Sequence, residues 1–179
     1  MTKVVELNAP ERDLNPLLIK LLLGVRLFED LARDQLVELL GIAQKVTFAE
    51  GETLYGEGDE GESMHLVIAG AVEVYKTGLD GEARRLALIN PGEPVGEMAL
   101  VERGPRTAGV RAVEPSVTLQ ITRTQLARHP RIEATLFRNM ARLLARRLRQ
   151  TNEELLALSV AVPKPAAPAA APPAAKPEK

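Results

Sequence analysis

Two neighbouring stretches hold the side chains best suited to chemistry: Pro94-Val95-Gly96-Glu97-Met98-Ala99-Leu100, then Pro105-Arg106-Thr107-Ala108. Gly96 permits a close backbone approach or dihedrals closed to other residues. The residues after it suit one short helical turn, whose free N–H groups point outward and suit an anion. Arg106, nine residues beyond Glu97, offers a forked set of donors to a phosphate. An ionised Glu97 can only accept, and takes a hydrogen bond from a sugar hydroxyl. An anion site with a hydroxyl acceptor beside it describes a ribose phosphate. A buried Arg106 also needs a negative partner, which Glu97 or a bound anion supplies. Taken alone, the two side chains describe a structural ion pair equally well.

Other polar residues form weaker patterns. His65 and His129 stand far apart with no ligand spacing around them, so structural roles are expected and no metal site. Ser63, Ser116 and Ser159 lack the context of a nucleophile, and cysteine is absent. A binding module is therefore expected, not an enzyme. Gly56-Glu57-Gly58 and Gly92 read as turn glycines, not as a dinucleotide or phosphate-loop fingerprint. Arginines 123, 128, 131, 138, 142, 146, 147 and 149 crowd one segment. They suit nucleic-acid phosphates or a solvated helix face pairing with Asp30, Asp34 and Glu38. The solvated face is the preferred reading.

The elements that must position these residues fall into four zones. Residues 14–43 read as helical: Asn15-Pro16 is a helix start, and Leu17, Leu18, Leu21 and Leu22 repeat at helical spacing until Gly24. Val25, Leu27, Phe28 and Leu31 form an apolar knot before a second helix bearing Leu36, Leu39, Leu40 and Ile42. Residues 44–122 read as β. The strands predicted there are Lys45–Phe48, Thr53–Tyr55, His65–Ile68, Ala71–Tyr75, Arg85–Ile89, Ala108–Ala112 and Val117–Ile121, which argues for a sandwich or barrel. Lys76–Glu82 reads as a hairpin loop. Beyond it, Thr124 is the expected cap of a short helix to Arg128, and Pro130 the start of a long one. On that helix Phe137, Ala141, Leu144, Leu148, Thr151, Leu155 and Leu158 step by fours and threes. Such a heptad seam wants a second copy of the chain. Residues 159–179 are nearly all Ala and Pro and read as a disordered tail.

Composition sets outer bounds. The formal net charge of −1 gives no overall pull toward nucleic acid or membrane. Met1–Glu11 has no signal-peptide pattern, and Leu17–Leu23 is too short to span a bilayer. A cytoplasmic location is expected.

The stretch GEMALVERGPRTA resembles the phosphate-binding cassette of cyclic nucleotide-binding domains. The resemblance extends over residues 25–158, through Leu27-Phe28, the turn of Glu50–Asp59 and the hairpin of Ala69–Lys76. It implies an α+β fold: an eight-stranded jelly-roll β-barrel with N-terminal helices and a long C-terminal helix. Residues 1–24 would precede that domain as a helical segment. It further implies that Glu97 holds a ribose 2′-hydroxyl and Arg106 a cyclic phosphate. Gly96, Met98, Ala99 and Leu100 would give backbone and wall contacts, and Thr107 would touch the phosphate. Val95 departs from the pattern, where Phe is common, and loosens the pocket wall.

Ala145–Glu153 resembles the dimer helix of the bacterial catabolite activator family. That resemblance places Thr151 and Asn152 against the purine and favours a homodimer. Thr151 sits equally well as a residue fixing dimer register. Thr151 points toward cAMP and Thr107 toward cGMP; cAMP is expected. Regulators of that family carry a helix-turn-helix after the dimer helix, whereas this sequence continues into Val160-Ala161-Val162-Pro163. Direct DNA binding is thus not expected, and signalling through a separate protein partner is. The alternative is a ligand-free dimerisation or scaffold protein of the same fold.

Overall fold

A computed structural model describes residues 3–6 and 16–161. The chain comprises two units, Met1–Leu144 and Ala145–Lys179. In the first, β1 (Lys3–Glu6) precedes α1 (Pro16–Leu23), a 3₁₀ turn (Arg26–Phe28) and α2 (Arg33–Ile42). Strands follow: β2 (Gln44–Phe48), β3 (Thr53–Tyr55), β4 (Ser63–Ala69), β5 (Val72–Thr77), β6 (Ala83–Ile89) and β7 (Pro94–Val95). The short α3 (Glu97–Glu102), β8 (Gly109–Ala112), β9 (Ser116–Thr122), α4 (Arg123–Leu126) and α5 (Pro130–Ala161) complete the order.

The strands form two antiparallel sheets, ordered β1-β2-β9-β4-β7 and β3-β8-β5-β6. β2–β9 are the eight strands that the resemblance implies, and the chain passes repeatedly from one sheet to the other, as in a jelly roll. The expectation of a closed barrel is corrected: the two sheets are separate hydrogen-bonded ladders. At one edge stands β7, whose two residues include Pro94, which has no N–H to carry a ladder onward. The helical reading of residues 1–24 also needs correction at its start. Lys3–Glu6 is a strand, its Val4 and Val5 paired with Val46 and Lys45 along the edge of β2.

Strand pleating gives β4 and β9 two different faces. Met64, Leu66, Leu119 and Ile121 pack with Leu27, Phe28, Leu36, Leu39, Leu40, Leu136 and Met140 beneath the helices. Fully burying each such side chain is worth roughly 1.5–3 kcal/mol. The opposite face of β4 carries Val67, which joins Val72, Ile89, Val95 and Val110 between the sheets. Ser63 and His65 share that inner face by alternation, and both are buried. Register puts His65 directly opposite Gln120 and Val67 opposite Thr118.

The expected short helix begins one residue earlier than its proposed cap. Thr122, not Thr124, caps α4: its hydroxyl accepts from the Gln125 amide while Gln125 Oε1 accepts from the Thr122 N–H. Gln125 at the third helical position completes a capping box that Thr124 could not form. Within the first unit, α5 is fastened to the 3₁₀ turn by buried Asn139, whose Nδ2 donates to Leu27 O at 3.0 Å and Glu29 O at 2.6 Å. In the second unit α5 continues to Ala161, and residues 151–157 are exposed. The tail expected from residue 159 is corrected at its start, because residues 159–161 are the last of α5; its remainder, from residue 162 onward, lies outside the described residues. Among the described residues no helix is long and apolar enough to cross a membrane.

Candidate nucleotide site

Gly96 caps α3 in the left-handed region, with φ of 82°. A Cβ there would stand 2.6 Å from Arg106 Nη1 and 2.9 Å from the Tyr55 hydroxyl, so the position requires glycine twice over. The turn directs Glu97, the first residue of α3, inward: it is 2% exposed. Ala99 and Leu100 are buried on the same short helix, while Met98 is exposed.

Arg106 is 5% exposed. Its backbone is stitched to the loop before β4: Arg106 N donates to Asp59 O at 2.8 Å, and Gly58 N donates to Arg106 O at 2.9 Å. Its Nη1 donates to Gly96 O at 3.0 Å and its Nη2 to Ser63 Oγ at 3.2 Å. The guanidinium lies over Tyr55, Cζ being 3.9 Å from the ring centroid. Its Nε is buried with no hydrogen-bond partner. Burial pulls the Arg106 pKa below the ordinary guanidinium value, against Tyr55, Asp59 and Glu97, which raise it. A guanidinium remains protonated under such opposing influences. A buried cation with a donor still unmatched is chemically suited to an anion.

The wall formed by β4 and β9 is polar but uncharged. His65 is 3% exposed, and burial, followed by the Arg106 charge, pushes its pKa down to about 3. Its Nδ1 lies 2.9 Å from Thr118 Oγ1 and its Nε2 3.5 Å from Gln120 Nε2. The amide can only donate, so Nε2 accepts and the ring proton resides on Nδ1, which donates to Thr118.

Of the residues singled out by sequence, Gly96, Glu97, Ala99 and Arg106 are brought together at the end of β7 and along α3. Thr107 follows Arg106 and is exposed. Thr151 and Asn152 are exposed on α5 in the second unit. The arginine run is mixed. Arg138 and Arg142 reach Asp30 at 3.5 and 3.2 Å, as a solvated face would. Arg123 departs from that reading: its Nη2 donates to Ala99 O at 2.8 Å, near the C-terminal end of α3, and its Nε is buried without a partner. Sequence reasoning assigned Tyr55, Ser63 and Gln120 no part here. Gln120 reaches Ser63, and so stands behind Arg106, only through the pairing of β4 with β9, for which no local motif exists.

A family model for the cyclic nucleotide-binding domain matches residues 45–129. The N-terminal domain of a transcriptional regulator from Streptomyces coelicolor A3(2) is 35% identical, with a TM-score of 0.60, over 74% of this chain and 95% of that one. This chain belongs to the cyclic nucleotide-binding domain family. Similarity extends to the cyclic AMP receptor protein of Thermus thermophilus, 38% identical over 136 residues, which is 76% of this chain and 63% of that protein. The crystal structure of the Thermus thermophilus catabolite activator protein superposes with a TM-score of 0.67 at 37% identity, covering 75% of this chain and 63% of that one. The domain and its flanks thus span about three-fifths of the length of the curated relatives they match.

Proposed function

We propose that the chain is a cyclic mononucleotide sensor, taking cAMP in preference to cGMP. The observation that carries this is the burial of both Arg106 and Glu97 in the cassette, with Arg106 Nε still unmatched. Arg106 takes the cyclic phosphate and Glu97 accepts from the ribose 2′-hydroxyl. The β-sandwich interior receives the sugar. Thr107 contributes a further phosphate contact.

The signal leaves through α5. Two stripes run along this helix: Ile132, Leu136 and Met140 are buried in the core, whereas Leu148 and Leu155 are 63% and 58% exposed. The exposed leucines belong to the heptad seam and suit a second copy of the chain. Nucleotide binding shifts the population of α5 arrangements in this dimer, and a separate protein reads the result.

Calorimetric titration with cAMP and with cGMP tests the proposal. Saturable binding, tighter for cAMP, is expected. Arg106→Leu is expected to weaken it more than tenfold, since hydrogen bonds to charged groups are worth about 1.5–3 kcal/mol each. No heat and no thermal shift at millimolar nucleotide would instead favour a ligand-free scaffold.

A further inference from the structure

The ligand-facing surface of Arg106 is set by how its guanidinium is oriented, and the structure shows what lies behind it. Ser63 Oγ accepts from Arg106 Nη2 and also from Gln120 Nε2, each at 3.2 Å. Gln120 Nε2 also lies 3.5 Å from His65 Nε2, and His65 Nδ1 lies 2.9 Å from Thr118 Oγ1. All four supporting side chains lie on the inner faces of two paired strands.

We propose that Ser63 and Gln120 are positioning residues for nucleotide phosphate: they hold the plane of the Arg106 guanidinium in the attitude that presents its remaining donors to the anion. The inference rests on the assignment of Arg106 as the phosphate ligand. A guanidinium recognises a phosphate as a planar fork, so its rotation matters as much as its location. Tyr55 restrains the plane from one side by stacking, but a ring face does not fix rotation within that plane. Gly96 O and Ser63 Oγ supply the two in-plane anchors. Ser63 would itself be free to turn without Gln120. Gln120 is held in turn between Ser63 and His65. The chain ends on uncharged groups, so no second cation competes for the phosphate and no second anion competes for Arg106 from this side.

The test compares Ser63→Ala, Ser63→Thr, Gln120→Met and Arg106→Leu in the full chain. Affinity for cAMP is measured by calorimetry, and the thermal midpoint is measured without nucleotide. Ser63→Ala and Gln120→Met are each expected to weaken cAMP binding about tenfold, the effect of one charge-assisted hydrogen bond or its support. Their nucleotide-free midpoints should move by no more than a few degrees. Ser63→Thr restores the hydroxyl and should recover most of the affinity. Wild-type affinity in Ser63→Ala, or no recovery in Ser63→Thr, overturns the positioning role while the loss in Arg106→Leu leaves the phosphate assignment standing. Undiminished binding by Arg106→Leu removes both.

Discussion

Tyr55 lies beneath Arg106, its ring centroid 3.9 Å from the guanidinium carbon. The ring gives a buried cation a partner that does not occupy any of its donors. A carboxylate in the same place would neutralise Arg106 and compete with an incoming anion. The π-face offsets part of the burial cost and leaves the N–H groups for ligand. Tyr55→Leu is expected to weaken cAMP binding about three- to thirtyfold, corresponding to the roughly 0.5–2 kcal/mol of such contacts. Tyr55→Phe, which keeps the π-face, should lose much less; competition binding with a fluorescent cAMP analogue measures both.

Glu97 is assigned a single hydroxyl, which allows a matched test. Glu97→Gln should weaken cAMP binding by about tenfold, the worth of a charged acceptor over a neutral one. The same variant should bind 2′-deoxy-cAMP about as well as the unaltered protein does, because the donor is already missing from that ligand. A loss of equal size for both nucleotides would detach Glu97 from the ribose.

His65 imposes a definite pH dependence on stability. Its folded pKa of about 3 lies below the ordinary histidine value of 6.5, so the unfolded chain binds the extra proton between these limits. Stability therefore falls as pH drops through this window, by up to about 1.4 kcal/mol per pH unit, and is unaffected by this group above it. Urea unfolding of wild type and His65→Gln between pH 7 and pH 4 should show a shallower acid slope in the variant. The slope is the diagnostic quantity, since the substitution also changes packing at every pH.

The exposed leucines of α5 give a test of assembly. Leu148→Glu combined with Leu155→Glu should convert a dimer to a monomer in sedimentation velocity. Placing acids at two seam positions opposes like charges across a twofold interface and removes the apolar contact there. Persistence of the dimer would locate the interface elsewhere.

Much of this arrangement is written in local sequence, and the exceptions share a cause. Gly96, Glu97 and Arg106 are legible because their chemistry depends on spacing within one loop-and-helix segment. The hairpin loop is legible because Gly78, Asp80 and Gly81 are turn formers; Gly81 N donates to Gly78 O, and Gly78 N to Glu82 O. β7 escapes detection because two residues, one of them proline, cannot display a period. β1 escapes because its evidence is a partner strand some forty residues away, joined in register Val5 to Lys45.

The supporting wall of the site is hidden for the same reason. Gln120 reads as an ordinary polar position in an alternating strand until β9 is aligned with β4. A shift of one residue in that register would turn it out of the inner face altogether. Arg123 reads as one of many arginines on a solvated segment, yet it holds the last turn of α3 through the Ala99 carbonyl. Charge counting locates arginines but does not reveal which backbone oxygen each one reaches.

Asn139 has a mechanical consequence. One amide grips the Leu27 and Glu29 carbonyls at once, so the root of the long helix and the small coil preceding α2 are riveted together. Sliding either past the other would strand a buried donor and two acceptors. Whatever tug reaches this corner must swing both as a single crank, and the lost freedom is what makes a lever of them.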